Sequence, residues 1–199
     1  MTRIYFAGAS GVIGGRLVPL LVDAGYTVGA MTRTPEKAAR LAATGAEPII
    51  CDVFDRTALT RAVRRFEPDL LLHELTDLPD DRESLPAESL LNARIRAEGT
   101  RNLLDAVEDW HHTRVVAQSV AWTMPPGPES SAVAVLEEAV LDVKGVVLRY
   151  GMFYGPGTYF EVDLPAGPRV HIDTAVARTL AALDAAPGIL TVVDDDGTA

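Results

Sequence analysis

The stretch Ile4-Tyr5-Phe6-Ala7-Gly8-Ala9-Ser10-Gly11-Val12-Ile13-Gly14 runs an apolar strand straight into three glycines spaced three apart, with an apolar helical segment behind them. A buried strand that ends this way places main-chain N–H groups and a helix N-terminus where a phosphate is stabilised. Each glycine has its own task. Gly8 permits the tight turn out of the strand, Gly11 lets the main chain approach a pyrophosphate, and Gly14 lets the helix pack closely. A glycine triplet alone is an ordinary turn signal. Its place after a strand, before a helix and at the start of a βαβ pattern predicts dinucleotide binding, with Gly8, Ser10, Gly11, Val12, Ile13 and Gly14 forming the cradle.

The rest of the chain alternates in the same way. A helix is expected over 12–24, bent at Pro19, which removes a bond to the Gly15 carbonyl. Gly25 closes it and a strand follows at 27–31. Thr34-Pro35-Glu36 is a helix start, with a hydroxyl cap, proline first and an acid in the first turn. Strands at 47–51 and 69–72 flank a helix beginning near Asp55. The acidic, proline-containing segment 74–86 reads as a loop. A long helix over 87–110, a strand at 114–119, a helix over 130–143 and a strand at 145–149 complete the series. Continuous apolar strands alternating with helices indicate a parallel sheet covered on both faces. The predicted fold is therefore α/β, one doubly wound Rossmann-type domain over 1–199. Its strand order is 3-2-1-4-5-6, with a seventh strand at 189–193 as an extension.

Composition narrows the function classes. The 199 residues are 48% hydrophobic and 23% charged, as in a soluble globular protein. A net charge of −10 argues against a nucleic-acid partner, because no basic surface offsets phosphate repulsion. No apolar run is long enough to span a bilayer. The first strand starts close to Met1, which leaves no room for a signal peptide, and the one cysteine cannot form an internal disulfide. Both point to the cytoplasm. Cys51, in the apolar run after Pro48, reads as a core residue rather than a nucleophile.

Short motifs beyond the glycines resemble the extended and atypical short-chain dehydrogenase/reductases, the NAD-dependent epimerase/dehydratase group. Gly8 to Gly14 is similar to that family's phosphate-binding turn. Cys51-Asp52-Val53 resembles its strand-three end, where Asp52 contacts the adenine. Glu98-Gly99-Thr100-Arg101-Asn102-Leu103-Leu104 resembles its central helix, and Val116-Ala117-Gln118-Ser119 the strand carrying its catalytic serine. Leu148-Arg149-Tyr150-Gly151 with Tyr154-Gly155-Pro156-Gly157 is similar to the loop after strand six, and Val170-His171-Ile172-Asp173 to a segment beyond the substrate loops. The likeness implies an NAD(P)-dependent oxidoreductase or epimerase acting on a small carbonyl or hydroxyl compound, sugar-derived or from specialised metabolism. In related proteins the long helix and the one after strand five often build a four-helix interface, so the resemblance also implies a homodimer.

Two departures qualify this. The family's Tyr-x-x-x-Lys, in which lysine lowers the tyrosine pKa for proton exchange, is missing. Arg33 and Val140 stand four residues before Lys37 and Lys144, and aligning Glu138 with the family's following acid puts Ser130 and Ala134 in the motif's positions. The region 151–199 is also a reduced remnant of the usual substrate part, which leaves the cleft open or covered by another subunit. The rival reading is a non-catalytic NADP(H)-binding sensor or scaffold.

Individual residues carry the finer expectations. Met31-Thr32-Arg33-Thr34 has no acid at the end of strand two, so NADP is expected over NAD, with Arg33 on the 2′-phosphate and Thr32 adding a hydroxyl. Arg33 as a solvated surface charge is the alternative. Ser119 either hydrogen-bonds a substrate oxygen or caps the following loop. Tyr150, Tyr154 and Tyr159 offer phenols in place of the missing tyrosine, or simply pack; Tyr150 also adjoins the cofactor. With no cation beside it, such a phenol keeps a pKa of about 10 and is a poor base. His73, after three leucines, matches a position beside the nicotinamide or satisfies loop carbonyls. Adjacent strand residues face opposite ways, so His73 and Glu74 form no dyad. Asp77, Asp80, Asp81 and Glu83 read as a solvated loop without metal-ligand spacing, and His111-His112 as cations at a helix C-terminus. Asn92 and Arg96 share a helix face that looks either to the cofactor or to a partner chain.

Overall fold

A computed structural model describes residues 1–79, 82–108 and 112–194. Strand β1 (Arg3–Ala7) leads to helix α1 (Gly14–Asp23), β2 (Thr27–Thr32), α2 (Pro35–Ala42), β3 (Glu47–Ile50), α3 (Arg56–Phe66) and β4 (Leu70–His73). A 3-10 turn (Arg82–Ser84) opens α4 (Leu85–Arg94), which passes through a π turn (Ile95–Gly99) into α5 (Thr100–Val107). Then come β5 (Arg114–Val120), α6 (Pro128–Asp142), β6 (Val146–Tyr150), the short β7 (Met152–Tyr154) and β8 (Arg169–His171), α7 (Ile172–Ala182) and β9 (Gly188–Val192).

Local chemistry sets the helix ends. The Thr34 hydroxyl accepts from Lys37 N at 3.4 Å, and Asp55 accepts from Ala58 N at 2.9 Å; each satisfies a first-turn N–H. Several boundaries differ from expectation. Helix α1 begins at Gly14 rather than residue 12 and runs through Pro19. The segment read as a loop over 74–86 holds the 3-10 turn and the start of α4, and the long helix is broken by the π turn. His73 and Tyr150 are the last residues of their strands, not the first of loops. Helix α7 and the two-stranded sheet of β7 and β8 went unread. Asp80, Asp81, Trp110, His111 and 195–199 lie outside the described residues.

The main sheet is parallel, in the order β3-β2-β1-β4-β5-β6-β9, so the expected doubly wound sheet carries its seventh strand. Alternation along each strand feeds two cores. Ile4, Phe6, Val28 and Ala30 pack with Leu17 and Leu21 of α1 and Ala175 and Val176 of α7. Tyr5, Ala7, Met31 and Leu71 pack with Leu59 and Val63 of α3, Leu103 of α5 and Leu136 of α6. Strand order reverses between β1 and β4. At such a switch point the carboxyl ends of two neighbouring strands part and leave a ligand crevice.

The loop after β7 contacts both the first helix and the segment after β4. The loop after β7 is held at one end by Arg16, whose guanidinium donates to the Pro156 carbonyl and lies 3.5 Å from Asp173. Beyond it the Tyr159 hydroxyl donates to the Pro79 carbonyl, and Arg82 stacks 4.3 Å from the Phe160 ring centroid. Residues 155–160 thus strap the glycine-turn side to the segment after β4.

Candidate functional site

The glycine turn has the geometry that a main-chain cradle requires. Gly8 sits at φ +98°, and a Cβ there would meet the Glu74 carbonyl carbon and oxygen at 2.5 Å. The turn leaving β1 is therefore pressed against the chain leaving β4, across the switch point. A Cβ on Gly14 would meet the Ala9 carbonyl oxygen at 2.4 Å, so its close approach is to the turn itself. At Gly11 a Cβ would find only the Gly8 oxygen within contact range, at 3.3 Å, which leaves the main chain bare on its outer side. Ser10 is half-buried, while Ile13 points into the core and leaves only its backbone for a ligand. These residues fit a dinucleotide pyrophosphate: N–H donors at a helix start, with no side chain in the way.

The flanks of the cradle are more committed than the sequence suggests. Thr32 is buried, and among the described residues its hydroxyl has no hydrogen-bond partner. The Arg33 side chain is half exposed, and its Nη2 donates to Asp77 Oδ1 at 2.8 Å. Asp77 is correspondingly no solvated loop acid, and its N–H donates to Asn92 Oδ1 at 3.2 Å. Asp52 accepts from Phe54 N at 2.9 Å. The Val53 side chain is core and lies against Gly99, while its carbonyl accepts from Asn102 at 3.0 Å. Cys51 is buried beside them, its thiol pushed up to about 11 by burial first and by Asp55 and Asp52 next.

The exit of β4 separates its two titratable residues. His73 Nε2 lies 3.0 Å from the Thr100 hydroxyl, and its Nδ1 accepts from Leu75 N at 3.3 Å. An accepting Nδ1 requires the proton on Nε2. Burial, helped by the Arg96 charge, lowers the His73 pKa to about 4, so the ring is neutral. Glu74 turns the other way. The Tyr150 hydroxyl donates to it at 3.0 Å and lies 2.6 Å from Thr179 Oγ1, and burial pushes the Glu74 carboxyl up to about 8.

The candidate proton donors are engaged with other side chains. Tyr150 is fully enclosed, and burial with Glu74 beside it raises its pKa well above the ordinary value, the opposite of what a proton-exchanging phenol needs. The Tyr154 ring meets His171 edge-on at 5.2 Å, and its hydrogen bond to Asp194 raises its pKa as well. Neither phenol keeps the ordinary value expected for it. Ser119 is buried and donates to Glu137 Oε1 at 2.6 Å; it caps no loop. Arg149 grips the same carboxylate with Nε at 2.8 Å and Nη2 at 2.6 Å. Glu137, which sequence reasoning passed over, thus organises this side of the edge. Burial alone would raise its pKa, but the bonds from Arg149 and Ser119 hold it below the usual carboxylate range. The missing signal was the β5–β6 register, which sets Ser119 beside Arg149.

Asn92 and Arg96 are both buried, and Asn92 Oδ1 accepts from Asp77 N in the segment after β4. Among the described residues no helix is long and apolar enough to cross a membrane, and no group of His, Cys, Asp and Glu is placed to hold a metal.

Comparison with known proteins bears on this geometry. A family model described as NAD(P)H-binding matches residues 8–144. A Streptomyces protein, 3-diazoavenalumate denitrifying reductase, is 34% identical over 236 aligned positions that span 98% of this chain and 76% of the relative. The fold is shared with the UDP-glucose 4-epimerase of Thermus thermophilus solved with NAD, at TM-score 0.79, 20% identity, 96% of this chain and 78% of that one. It is shared likewise with the dTDP-glucose 4,6-dehydratase of Bacillus anthracis solved with NAD, at TM-score 0.77, 14% identity, 98% and 76%. A cradle without side chains, a doubly wound sheet and a matched model over most of the chain lead to one conclusion: the chain belongs to the NAD(P)H-binding family, on a fold of the short-chain dehydrogenase/reductase type.

Proposed function

We propose that this protein is an NADP(H)-dependent reductase whose acceptor takes hydride without needing a proton from the protein. The observation that carries this is the state of its polar groups. Ser119 is tied to Glu137, Tyr150 is buried against Glu74, and no Tyr-x-x-x-Lys exists in the chain. Reduction of a carbonyl generates an alkoxide and calls for a positioned acid. Reduction of a diazonium carbon does not, because hydride replaces the departing dinitrogen and the charge is already balanced. The named substrate of the Streptomyces relative is a diazo compound, which supports this class over the sugar-derived carbonyl that the fold alone suggests. Bound NADPH would supply the hydride, as nicotinamides do. The chain's own part is to hold the nucleotide on Gly8 to Gly14, with Asp52 at the adenine end, and to keep water from the acceptor with the strap over 155–160.

NADP preference rests on Arg33, which a 2′-phosphate must win from Asp77. Titration with NADPH and NADH at matched salt is expected to favour NADPH. Asp77→Asn should tighten NADPH several-fold and leave NADH unchanged, whereas Arg33→Glu should weaken NADPH at least tenfold. Equal affinities for both nucleotides would remove the assignment. For turnover, NADPH oxidation is followed with 4-carboxybenzenediazonium, alongside a panel of aldehydes, ketones and nucleotide sugars. Deuteride from labelled NADPH should appear in the benzoate formed. The same tied-down groups also suit the rival reading, a nucleotide-binding sensor or scaffold, and tight NADPH binding with no acceptor consumed would establish it instead.

A further inference from the structure

One cation in the interior has nothing to bind. Arg96 is 5% exposed, its Nε–H is fully enclosed without an acceptor, and among the described residues no group is hydrogen-bonded to its guanidinium. Native interiors very rarely leave such donors unpaired, since an enclosed charge without partners is costly. Burial accordingly lowers its pKa. A guanidinium carries five donors in a planar fork that matches a carboxylate two bonds at a time.

Its position fits a substrate rather than the core. Arg96 lies in the π turn Ile95–Gly99, which packs against α6; single π turns recur at functional sites because they redirect side chains. Thr100, one turn beyond it, lies 3.0 Å from His73 Nε2 at the end of β4, and Asn92, one turn before it, accepts from Asp77 N at 3.2 Å. Glu129, in the first turn of α6, supports its charge without a hydrogen bond, and His73, at the carboxyl end of β4, feels it. The carboxyl end of β4 and the start of α6 both belong to the sheet edge where ligands bind in this architecture. The glycine turn and Arg33 are the places proposed for the cofactor's phosphates, so neither phosphate accounts for Arg96. His73, neutral, offers no competing anion, and Glu129 is the one carboxylate whose influence on Arg96 is felt.

We infer that Arg96 is the receptor for a carboxylate on the substrate, holding a small anionic acceptor by its acid end while the reducible group faces the nicotinamide. This deepens the reductase reading and rests on it for the identity of the cleft. It also explains how a protein of net charge −10 recruits an anion: one desolvated guanidinium, close at hand, outweighs a distant and screened negative field.

The test uses binding, so that it stands apart from turnover. Benzoate and benzamide share a shape and differ in charge, and each is titrated into the full-length protein saturated with NADP+. Binding is read by calorimetry and by the 15N resonance of the Arg96 Nε–H. Benzoate is expected to bind at least tenfold more tightly than benzamide and to shift that resonance. Arg96→Gln should abolish the difference, Arg96→Lys should restore part of it, and Glu129→Gln should strengthen benzoate. Circular dichroism and NADP+ affinity, unchanged in Arg96→Lys, show that the fold and cradle are intact. Equal binding of the two probes, or benzoate binding that survives in Arg96→Gln, overturns the inference. Inorganic phosphate displacing benzoate at equal concentration would mark a general anion site and overturn it too. If benzoate binds as expected and no diazonium is reduced, the reductase reading fails while the carboxylate site stands.

Discussion

Glu74 shows how strongly one enclosed group couples this fold to pH. Its carboxyl is raised to about 8 by burial, partly offset by the Tyr150 hydrogen bond. The folded protein therefore holds a proton that the unfolded chain gives up above its ordinary value near 4.5. Stability tied to that proton is full below this value and is lost as pH rises through 8. His73 works in the opposite sense. Its pKa is lowered to about 4 from 6.5, so its contribution is lost as pH falls from 6.5 to 4. Between 4.5 and 6.5 the two slopes oppose each other, and above 6.5 Glu74 acts alone. Urea unfolding should lose about 2 kcal/mol between pH 6.5 and 8, from 1.4 kcal/mol per pH unit per proton. Glu74→Gln, which still accepts from Tyr150, should flatten that window. Parallel profiles for the two proteins would show that Glu74 is ionised throughout. Neighbourhood in sequence separated His73 from Glu74 correctly, because alternation on a strand is local. That Glu74 meets Tyr150 is a contact across 76 positions, which no local pattern encodes.

At the scale of elements, two strands and a helix converge on Glu137. The parallel register of β5 and β6 sets Ser119 beside Arg149, and α6 lays Glu137 over both. The Arg149 side chain is 39% exposed and that of Glu137 12%, so solvent discounts the pair well below a fully buried one. Arg149→Met should cost about 2 kcal/mol in urea unfolding by stranding the carboxylate. Arg149→Met combined with Glu137→Leu should recover most of that loss. A double variant as unstable as the single one would mean that Arg149 matters by packing alone. Ser119 was legible as a strand-end hydroxyl, but not its partner. The helix carrying Glu137 was placed within two residues, while its rotation about its own axis was not. That rotation comes from packing on the sheet.

The whole molecule adds the strap. With Tyr159 on Pro79, Phe160 under Arg82 and Arg16 on Pro156, residues 155–160 join α1 to the segment after β4. These contacts lie outside both cores, so they should report on the cleft rather than on global stability. The paired change Tyr159→Phe with Phe160→Ala should raise the rate of limited proteolysis within 155–164 several-fold. The urea midpoint should move by no more than about 0.5 M, from a loss of at most about 1 kcal/mol over a slope of about 2 kcal/mol per molar. Unchanged proteolysis would mean that the strap is held elsewhere. Local pattern does not show what Tyr159 and Phe160 reach, because two aromatic residues in a short loop have no periodicity.

The amino-acid order by itself determined the strand–glycine–helix cradle, the alternating elements, the sheet order and its seventh strand. The turn and the elements follow from near-neighbour rules, in which glycine torsions, apolar runs and capping residues act within a few positions, and the sheet order from the doubly wound topology that such alternation favours. Tertiary structure alone decided which polar groups are occupied. It gave Arg33 to Asp77, Ser119 to Glu137 and Tyr150 to Glu74, and among the described residues it left the Arg96 Nε–H with no acceptor. Those pairings join residues far apart in the chain, and their strength comes from desolvation, which exists only once the sheet and its helices have closed around them.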